Sequence, residues 1–306
     1  EAGLRAGLAL PYDCRAGGCG QCACTVLQGH VDPGPFQEAA LTPAMRARGQ
    51  ALMCCAVALE DVEIEVEGVT SLDATAGKAG VPRWQARVAA MERLGADLMR
   101  VHLALPDGVQ VPFVAGQYIQ ILLPDGERRA FSFANPPPLP GEPPPAGGDR
   151  IELHIRRIPG GRYTGHVFES MRPGDAVEFE GPFGRFVLSD GDRPMLFVAG
   201  ATGFAPVKSL LEDAFRRGFR RPMELYWGVR KASDFYLLDE VSRWQREHAN
   251  FRFVPVLSEA GDDPTWTGRR GLVHEAMLAD HPDLAGCEVY ACGSARMVQA
   301  AVPDFL

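Results

Sequence analysis

Cys14, Cys19 and Cys22 stand at C-x4-C-x2-C spacing, with Gly17, Gly18 and Gly20 around them and a pair, Cys54-Cys55, further along the chain. Three thiolates so spaced wrap one side of a compact [2Fe–2S] cluster, and a distant fourth closes the other side. A loop drawn tightly around sulfide needs residues that tolerate positive φ and turn their N–H groups toward the anionic core, and the glycines meet that need. Either Cys54 or Cys55 completes the set. Zinc is the competing reading, but it favours two chelating pairs, and adjacent cysteines form a poor one. Disulfides belong to exported chains, and no export signal is visible. Only Cys287 and Cys292 lie outside residues 14–55, so the thiol chemistry is local to one region.

At 306 residues, 46% hydrophobic and 23% charged, the chain has material for two or three packed domains. A net charge of −8 argues against nucleic acid as a partner. No apolar run has the ~18 residues of a membrane span, so no membrane insertion is expected and the cytoplasm is the expected location. Both ends read as those of a fragment. Glu1 to Leu10 reads as a helix with no strand pair before it, and Asp304-Phe305-Leu306 falls within a helix.

Along the chain, a strand is expected at Ala23 to Leu27, a short helix near Pro43 to Arg48 and a strand at Val62 to Val66. Small residues from Thr70 to Gly80 read as a linker. Alternating runs follow at Trp84 to Met91, Leu98 to Leu105, Gln117 to Leu123, Ala130 to Phe133, Ile151 to Ile158 and Ala176 to Glu180, the pattern of a small antiparallel barrel. Seven prolines between Pro136 and Gly148 exclude a strand there and leave a stiff loop. From Met195 the pattern becomes buried strand, helix, buried strand: a parallel sheet with helices on both faces, whose ligands sit at the carboxyl ends of the strands.

Several candidate site residues follow. Arg129-Ala130-Phe131-Ser132 ends a barrel strand, and Gly160-Gly161-Arg162-Tyr163-Thr164 opens a helix whose free N–H groups favour a pyrophosphate. Arg129 offers a forked contact, Phe131 a stacking face and Ser132 a hydrogen bond to a ring nitrogen. His154-Ile155-Arg156 lies on the strand expected under the same phosphates, though His154 reads equally well as a plain sheet histidine. Thr202 and Gly203, ahead of Pro206 in the first helical turn, suit a dinucleotide phosphate. Gly228, Arg230 and Asp234 lie where an adenosine ribose or its phosphate is expected. Cys292-Gly293 ends the last strand, beside a nicotinamide, with Met297 on the helix after it. Ser132 and Cys292 are the catalytic candidates.

Taken in order, the cysteine loop, Arg129 to Ser132, Gly160 to Thr164, Gly181-Pro182-Phe183-Gly184, Gly200 to Pro206 and Cys292-Gly293-Ser294 resemble the ferredoxin-type reductases that carry [2Fe–2S], FAD and NAD(P)H domains in one chain. The resemblance implies a multidomain α+β and α/β protein: a β-grasp [2Fe–2S] domain over 1–69, a linker over 70–80, an antiparallel FAD-binding barrel over 81–190 and a parallel α/β NAD(P)H-binding domain over 191–306, incomplete at its C-terminus. It implies that Cys14, Cys19, Cys22 and Cys54 hold the cluster, since Ala51 to Cys54 is similar to the stretch before the last ligand in such ferredoxins. Arg129, Phe131, Ser132 and Thr164 would hold FAD, and Thr202, Gly203 and Cys292 would face the nicotinamide. Phe131 stands where a tyrosine is usual, and the terminal aromatic that usually covers the flavin is missing. NADH is expected over NADPH. Leu52 to Cys55, Thr265 to Gly268 and Val289 to Ser294 most resemble the reductases of deoxysugar synthesis, whose acceptor is a sugar intermediate on a pyridoxamine-phosphate-dependent dehydratase. The alternatives are the reductase of a multicomponent oxygenase, or a non-catalytic redox sensor or electron carrier.

Overall fold

A computed structural model describes the chain except residues 1, 2, 4, 5, 13–16, 18, 19, 39, 72–80, 140, 143–149, 262–264 and 306, and except the side chains of 70, 71 and 295. It divides into two compact units, Glu1–Pro82 with Ser294–Leu306, and Arg83–Gly293.

The first unit holds short strands: β1 (Leu8–Ala9), β2 (Ala23–Gln28), β3 (Val31–Asp32), β4 (Gln50–Leu52), β5 (Val57–Ala58), β6 (Glu63–Glu65) and β7 (Thr70–Ser71). β2 lies between β4 and β6, antiparallel to both. The helix Pro43–Ala47 starts where Thr42 Oγ1 accepts the Met45 N–H at 3.2 Å, with proline at the first turn where no donor is lost. Cys22, Ala40, Leu41 and Leu52 form its small core. One expectation is corrected here. Leu8–Ala9 is a strand paired with Thr70–Ser71, so neither the helix through Leu10 nor a linker starting at Thr70 holds. Gly7, at φ 77°, turns the backbone out of any helix immediately before Leu8. The helix Ala295–Phe305 also belongs to this unit, where Gln37 Nε2 donates to the Gln299 carbonyl at 3.0 Å.

The second unit begins with β8 (Arg83–Arg93), β9 (Leu98–Ala104), β10 (Tyr118–Leu122), β11 (Arg128–Ser132), β12 (Arg150–Arg156) and β13 (Ala176–Phe183). They form one antiparallel sheet in the order β11-β10-β13-β8-β9-β12. Alternation on β12 sends Ile151, Leu153 and Ile155 into the barrel core and leaves Glu152, His154 and Arg156 on the other face. The edges close on each other just past β11: the Ala134 N–H donates to the Glu152 carbonyl and the Glu152 N–H to Asn135 Oδ1, each at 2.8 Å. This closure satisfies backbone groups that an open edge leaves unpaired.

β14 (Met195–Gly200), β15 (Met223–Val229), β16 (Phe251–Leu257), β17 (Arg269–Arg270) and β18 (Glu288–Cys292) make a parallel sheet in the order β17-β16-β15-β14-β18. Met195 to Ala199 are all at most 1% exposed, as a strand covered on both faces requires. The helices Phe204–Arg216, Leu238–Glu247 and Val273–Asp280 pack on the sheet. The chain leaves β14 toward β15 and returns to place β18 on its other side. The β14–β18 crevice is therefore the topological switch point, where sheets of this class bind ligands. Among the described residues no helix is long and apolar enough to cross a membrane.

Candidate functional site

Of the expected cluster ligands, Cys14 and Cys19 lie outside the described residues. Cys22 is 2% exposed in the small core, and Cys54 packs against that core. The Met53 N–H donates to the Cys22 carbonyl at 3.0 Å, tying the two segments together. Cys55 Sγ lies 3.4 Å from Cys54 Sγ. Gly17, at φ 69°, has no room for a side chain: a β-carbon there would fall 2.7 Å from the Pro35 carbonyl oxygen and 2.8 Å from Cys55 Sγ. Gly17 is thus held close against the chain at Pro35 and Cys55.

In the second unit, β11 carries Arg129, Phe131 and Ser132, and the helix Arg162–Glu169 stands beside it. Arg129 and Arg162 converge on the Glu127 carboxylate, and Arg162 also meets Asp125 Oδ2 at 2.6 Å. Hydrogen bonds from Arg129 and then Arg162 hold the Glu127 carboxyl below its ordinary range. Two guanidiniums therefore gather at the open start of a helix whose Gly161 N-cap supplies no side-chain cap. Phe131 lies against Tyr163, ring centroids 5.6 Å apart. Thr164 turns inward: its Oγ1 accepts the Ile158 N–H at 3.1 Å, closing the glycine turn. Gly161 is required there, since a β-carbon would sit 2.5 Å from that oxygen. Beyond the helix, a cavity of about 1020 Å³ opens between Ile121, Leu123, Arg162, Tyr163, His166 and Val177.

On β12 the barrel core takes Ile155, while Arg156 Nε is buried without a hydrogen bond and stands 3.5 Å from Asp97 Oδ2. His154 is 5% exposed and fully engaged: Nε2 donates to Glu152 Oε1 at 2.8 Å, and Nδ1 faces the Tyr236 hydroxyl at 3.3 Å. Burial lowers the pKa of His154, so the neutral ring accepts the Tyr236 O–H. Burial alone would raise the Glu152 carboxyl, but the His154 hydrogen bond and the Lys208 charge bring it down to about 2.

At the switch point, Gly203 lies directly on the end of β18. A β-carbon there would be 2.1 Å from the Cys292 carbonyl oxygen and 2.7 Å from the Gly293 nitrogen. Thr202 and Pro206 flank this contact in the turn and the first helical turn. Phe204 stacks on Trp227 with centroids 4.0 Å apart, and Trp227 Nε1 donates to the Ala201 carbonyl at 3.0 Å, fixing the turn from below. Burial pushes the Cys292 thiol up to about 12, so it is a neutral group.

The adenosine-side residues are placed differently from one another. Gly228 is needed for packing, since a β-carbon would meet Val273 Cβ at 2.6 Å. Asp234 Oδ2 accepts the Lys231 N–H at 3.1 Å and so braces its own turn. The Arg230 side chain is 78% exposed, 3.7 Å from Glu259 Oε1. Met297 lies in the first unit, its N–H capped by Ser294 Oγ at 3.2 Å. Sequence reasoning passed over Glu127, Glu152, Lys208 and Tyr236. The available signal was Lys208, a lone charge inside the apolar run Phe204 to Leu211.

Residues 1–59 match the family profile of the 2Fe-2S iron-sulfur cluster binding domain, residues 85–188 that of the oxidoreductase FAD-binding domain, and residues 197–302 that of the oxidoreductase NAD-binding domain. The chain is 36% identical over 306 residues to the CDP-6-deoxy-L-threo-D-glycero-4-hexulose-3-dehydrase reductase of Yersinia pestis, covering 100% of this chain and 88% of that protein. It is 36% identical over 301 residues to reductase component 2 of terephthalate 1,2-dioxygenase from a Comamonas species, covering 98% of this chain and 85% of that protein. Among solved structures, an Amycolatopsis cytochrome P450 reductase superposes with a TM-score of 0.74 at 36% identity, covering 100% of this chain and 88% of that one.

Proposed function

The chain belongs to the ferredoxin–NAD(P)H reductase-like family of iron–sulfur flavoprotein oxidoreductases, and on that premise we propose that it draws electrons from NADH to reduce a sugar intermediate, CDP-6-deoxy-Δ3,4-glucoseen, held on a pyridoxamine-phosphate-dependent dehydratase. When bound, NADH supplies a hydride, FAD divides the electron pair and the [2Fe–2S] cluster delivers single electrons. The protein's part is to hold, orient and shield.

The residues fit these groups. Gly17 lies where a β-carbon would strike Pro35 and Cys55, and Cys14, Cys19, Cys22 and Cys54 would hold the cluster. Arg129 and Arg162 would present two forked cations to the pyrophosphate, beside the start of a helix that no side chain caps. Arg156 Nε is a buried donor still without a hydrogen bond. Phe131 would offer its face to the flavin ring, and Ser132 a hydroxyl donor to a ring nitrogen. Thr202 and Gly203 would hold the nicotinamide half of the nucleotide, and the neutral Cys292 thiol would line that place without adding charge. Glu259 beside Arg230 disfavours a 2′-phosphate, which supports NADH over NADPH. The cluster domain closes with the strand Thr70–Ser71, the flavin domain runs over 81–190 and the nucleotide domain starts at 191, and the protein works in the cytoplasm.

The observation that carries the reading is the contact of Gly203 with Cys292 at the switch point, in the same unit as the Arg129–Arg162 pair. The sugar-linked acceptor rests on likeness along the whole chain to the Yersinia pestis reductase. A second reading, an oxygenase partner, is supported by the likeness to the Comamonas dioxygenase reductase. The test is anaerobic NADH oxidation by the reconstituted protein with each acceptor in turn. Turnover of the dehydratase-bound intermediate supports the first reading; turnover only with an oxygenase replaces it. Absence of NADH-dependent reduction of any dye or cytochrome discards both in favour of a non-catalytic module.

A further inference from the structure

The helix that starts at the nucleotide turn is bonded to the chain leaving the flavin strand. Lys208 Nζ, in a residue only 3% exposed, donates to the Ala134 carbonyl at 3.1 Å and to Glu212 Oε2 at 3.0 Å, and stands 3.6 Å from Glu152 Oε2. Ser209 Oγ donates to the Asn135 carbonyl at 2.7 Å and receives the Gly116 N–H at 3.4 Å. Arg216 donates to the Pro137 carbonyl at 2.9 Å. Three side chains of one helix, two adjacent and the third two turns on, therefore grip three carbonyls that begin two residues after Ser132. Glu152 passes the contact on to His154, and His154 to Tyr236, which lies edge-on to both Phe204 and Trp227.

A buried ammonium is costly unless charges and acceptors surround it. Packing alone would be served as well by methionine at this position. Lys208 sits four residues from Phe204 and five from Gly203, while the Ala134 carbonyl it grips lies two residues beyond the end of the strand Arg128–Ser132. Hydride transfer depends steeply on the distance and angle between donor and acceptor rings. We propose that Lys208 is a positioning residue for hydride transfer: by joining the Ala134 carbonyl to Glu152 and Glu212, it holds the nucleotide turn in register with the flavin strand. This rests on the reading of the unit as an NADH-to-FAD module and names what sets its internal alignment.

The test compares wild-type, Lys208→Met, Lys208→Arg and the charge-balanced pair Lys208→Met with Glu152→Gln, all carrying FAD and the cluster. Rapid-mixing reduction of FAD by NADH, and by NADH deuterated at the transferred position, is read with hydrogen exchange of the backbone over residues 130–137. For Lys208→Met we expect a 10- to 100-fold slower flavin reduction, a larger isotope effect, an NADH KM within threefold of wild type and faster exchange at Ala134 and Asn135. Lys208→Arg restores part of the rate. If Lys208→Met does not accumulate folded, the double variant carries the same readouts, because it leaves the net charge of the Lys208, Glu152 and Glu212 cluster unchanged. A flavin-loaded variant that reduces at the wild-type rate with an unchanged isotope effect overturns the inference, even if it melts at lower temperature. A wild-type protein that takes no hydride from either nucleotide overturns the module reading and this inference with it.

Discussion

Gly203 rests against Cys292 with no space for even one more carbon, since a β-carbon would fall 2.1 Å from a backbone carbonyl oxygen that cannot swing away. Gly203→Ala is expected to push the nucleotide turn off β18. Overpacking of this kind costs about 1–3 kcal/mol, and the displacement should slow flavin reduction by NADH at least tenfold. Thermal unfolding and rapid-mixing absorbance at the flavin band check both effects.

Cys54 and Cys55 have sulfurs in contact at 3.4 Å, but only Cys54 packs with the buried Cys22. Cys54→Ser should abolish or distort the [2Fe–2S] absorption and EPR spectra, and Cys55→Ser should leave them intact. The reverse pattern reassigns the fourth ligand.

Arg129 and Arg162 share Glu127 as counter-ion, so a pyrophosphate must compete with that carboxylate. Removing a charge-assisted hydrogen bond costs about 1.5–3 kcal/mol. Arg129→Ala should therefore weaken FAD binding about 10- to 100-fold, while Glu127→Gln should tighten it. Fluorescence titration of the flavin-stripped protein gives both constants, and equal weakening by the two substitutions would contradict the shared-site account.

Glu152 is held at a pKa of about 2, against 4.5 for the free side chain, despite burial. The folded state thus binds its proton less readily than the unfolded chain. The stability it contributes is complete above about pH 4.5 and is lost as pH falls toward 2, a difference on the order of 3 kcal/mol. Glu152→Gln should flatten that part of the stability–pH curve, measured by denaturant unfolding of the second unit's tryptophans.

The Cys292 thiol, pushed up to about 12, holds on the order of one thiolate in ten thousand at pH 8. Iodoacetamide should modify it far more slowly than a free thiol, as peptide mass spectrometry can measure. Rapid labelling would remove the neutral lining assigned to the nicotinamide place.

Much of this architecture is legible in the sequence because it is periodic. Leu98 to Leu105 and Ile151 to Ile158 are read within two residues of the strands Leu98–Ala104 and Arg150–Arg156, since alternating runs between polar turns leave little choice. Glycines that permit close approach, Gly17 and Gly203, are legible for the same reason: their chemistry is local. What escapes the sequence is pairing over distance. Leu8–Ala9 becomes a strand only because Thr70–Ser71 lies beside it. The bond from the Ile158 N–H to Thr164 Oγ1, six residues apart, is likewise set by the glycine turn between them and not by any motif. The Glu152–Lys208 pair joins residues far apart in the chain, and neither carries a motif that announces the other.

Trp227 is hydrogen-bonded to the Ala201 carbonyl and stacked on Phe204, the residues on either side of Thr202-Gly203. The nucleotide turn thereby contains its own fluorophore. Any rearrangement of that turn alters the polarity and hydrogen bonding of a buried indole, so with Trp84, Trp244 and Trp266 replaced by phenylalanine its emission can follow the turn in time without an attached label.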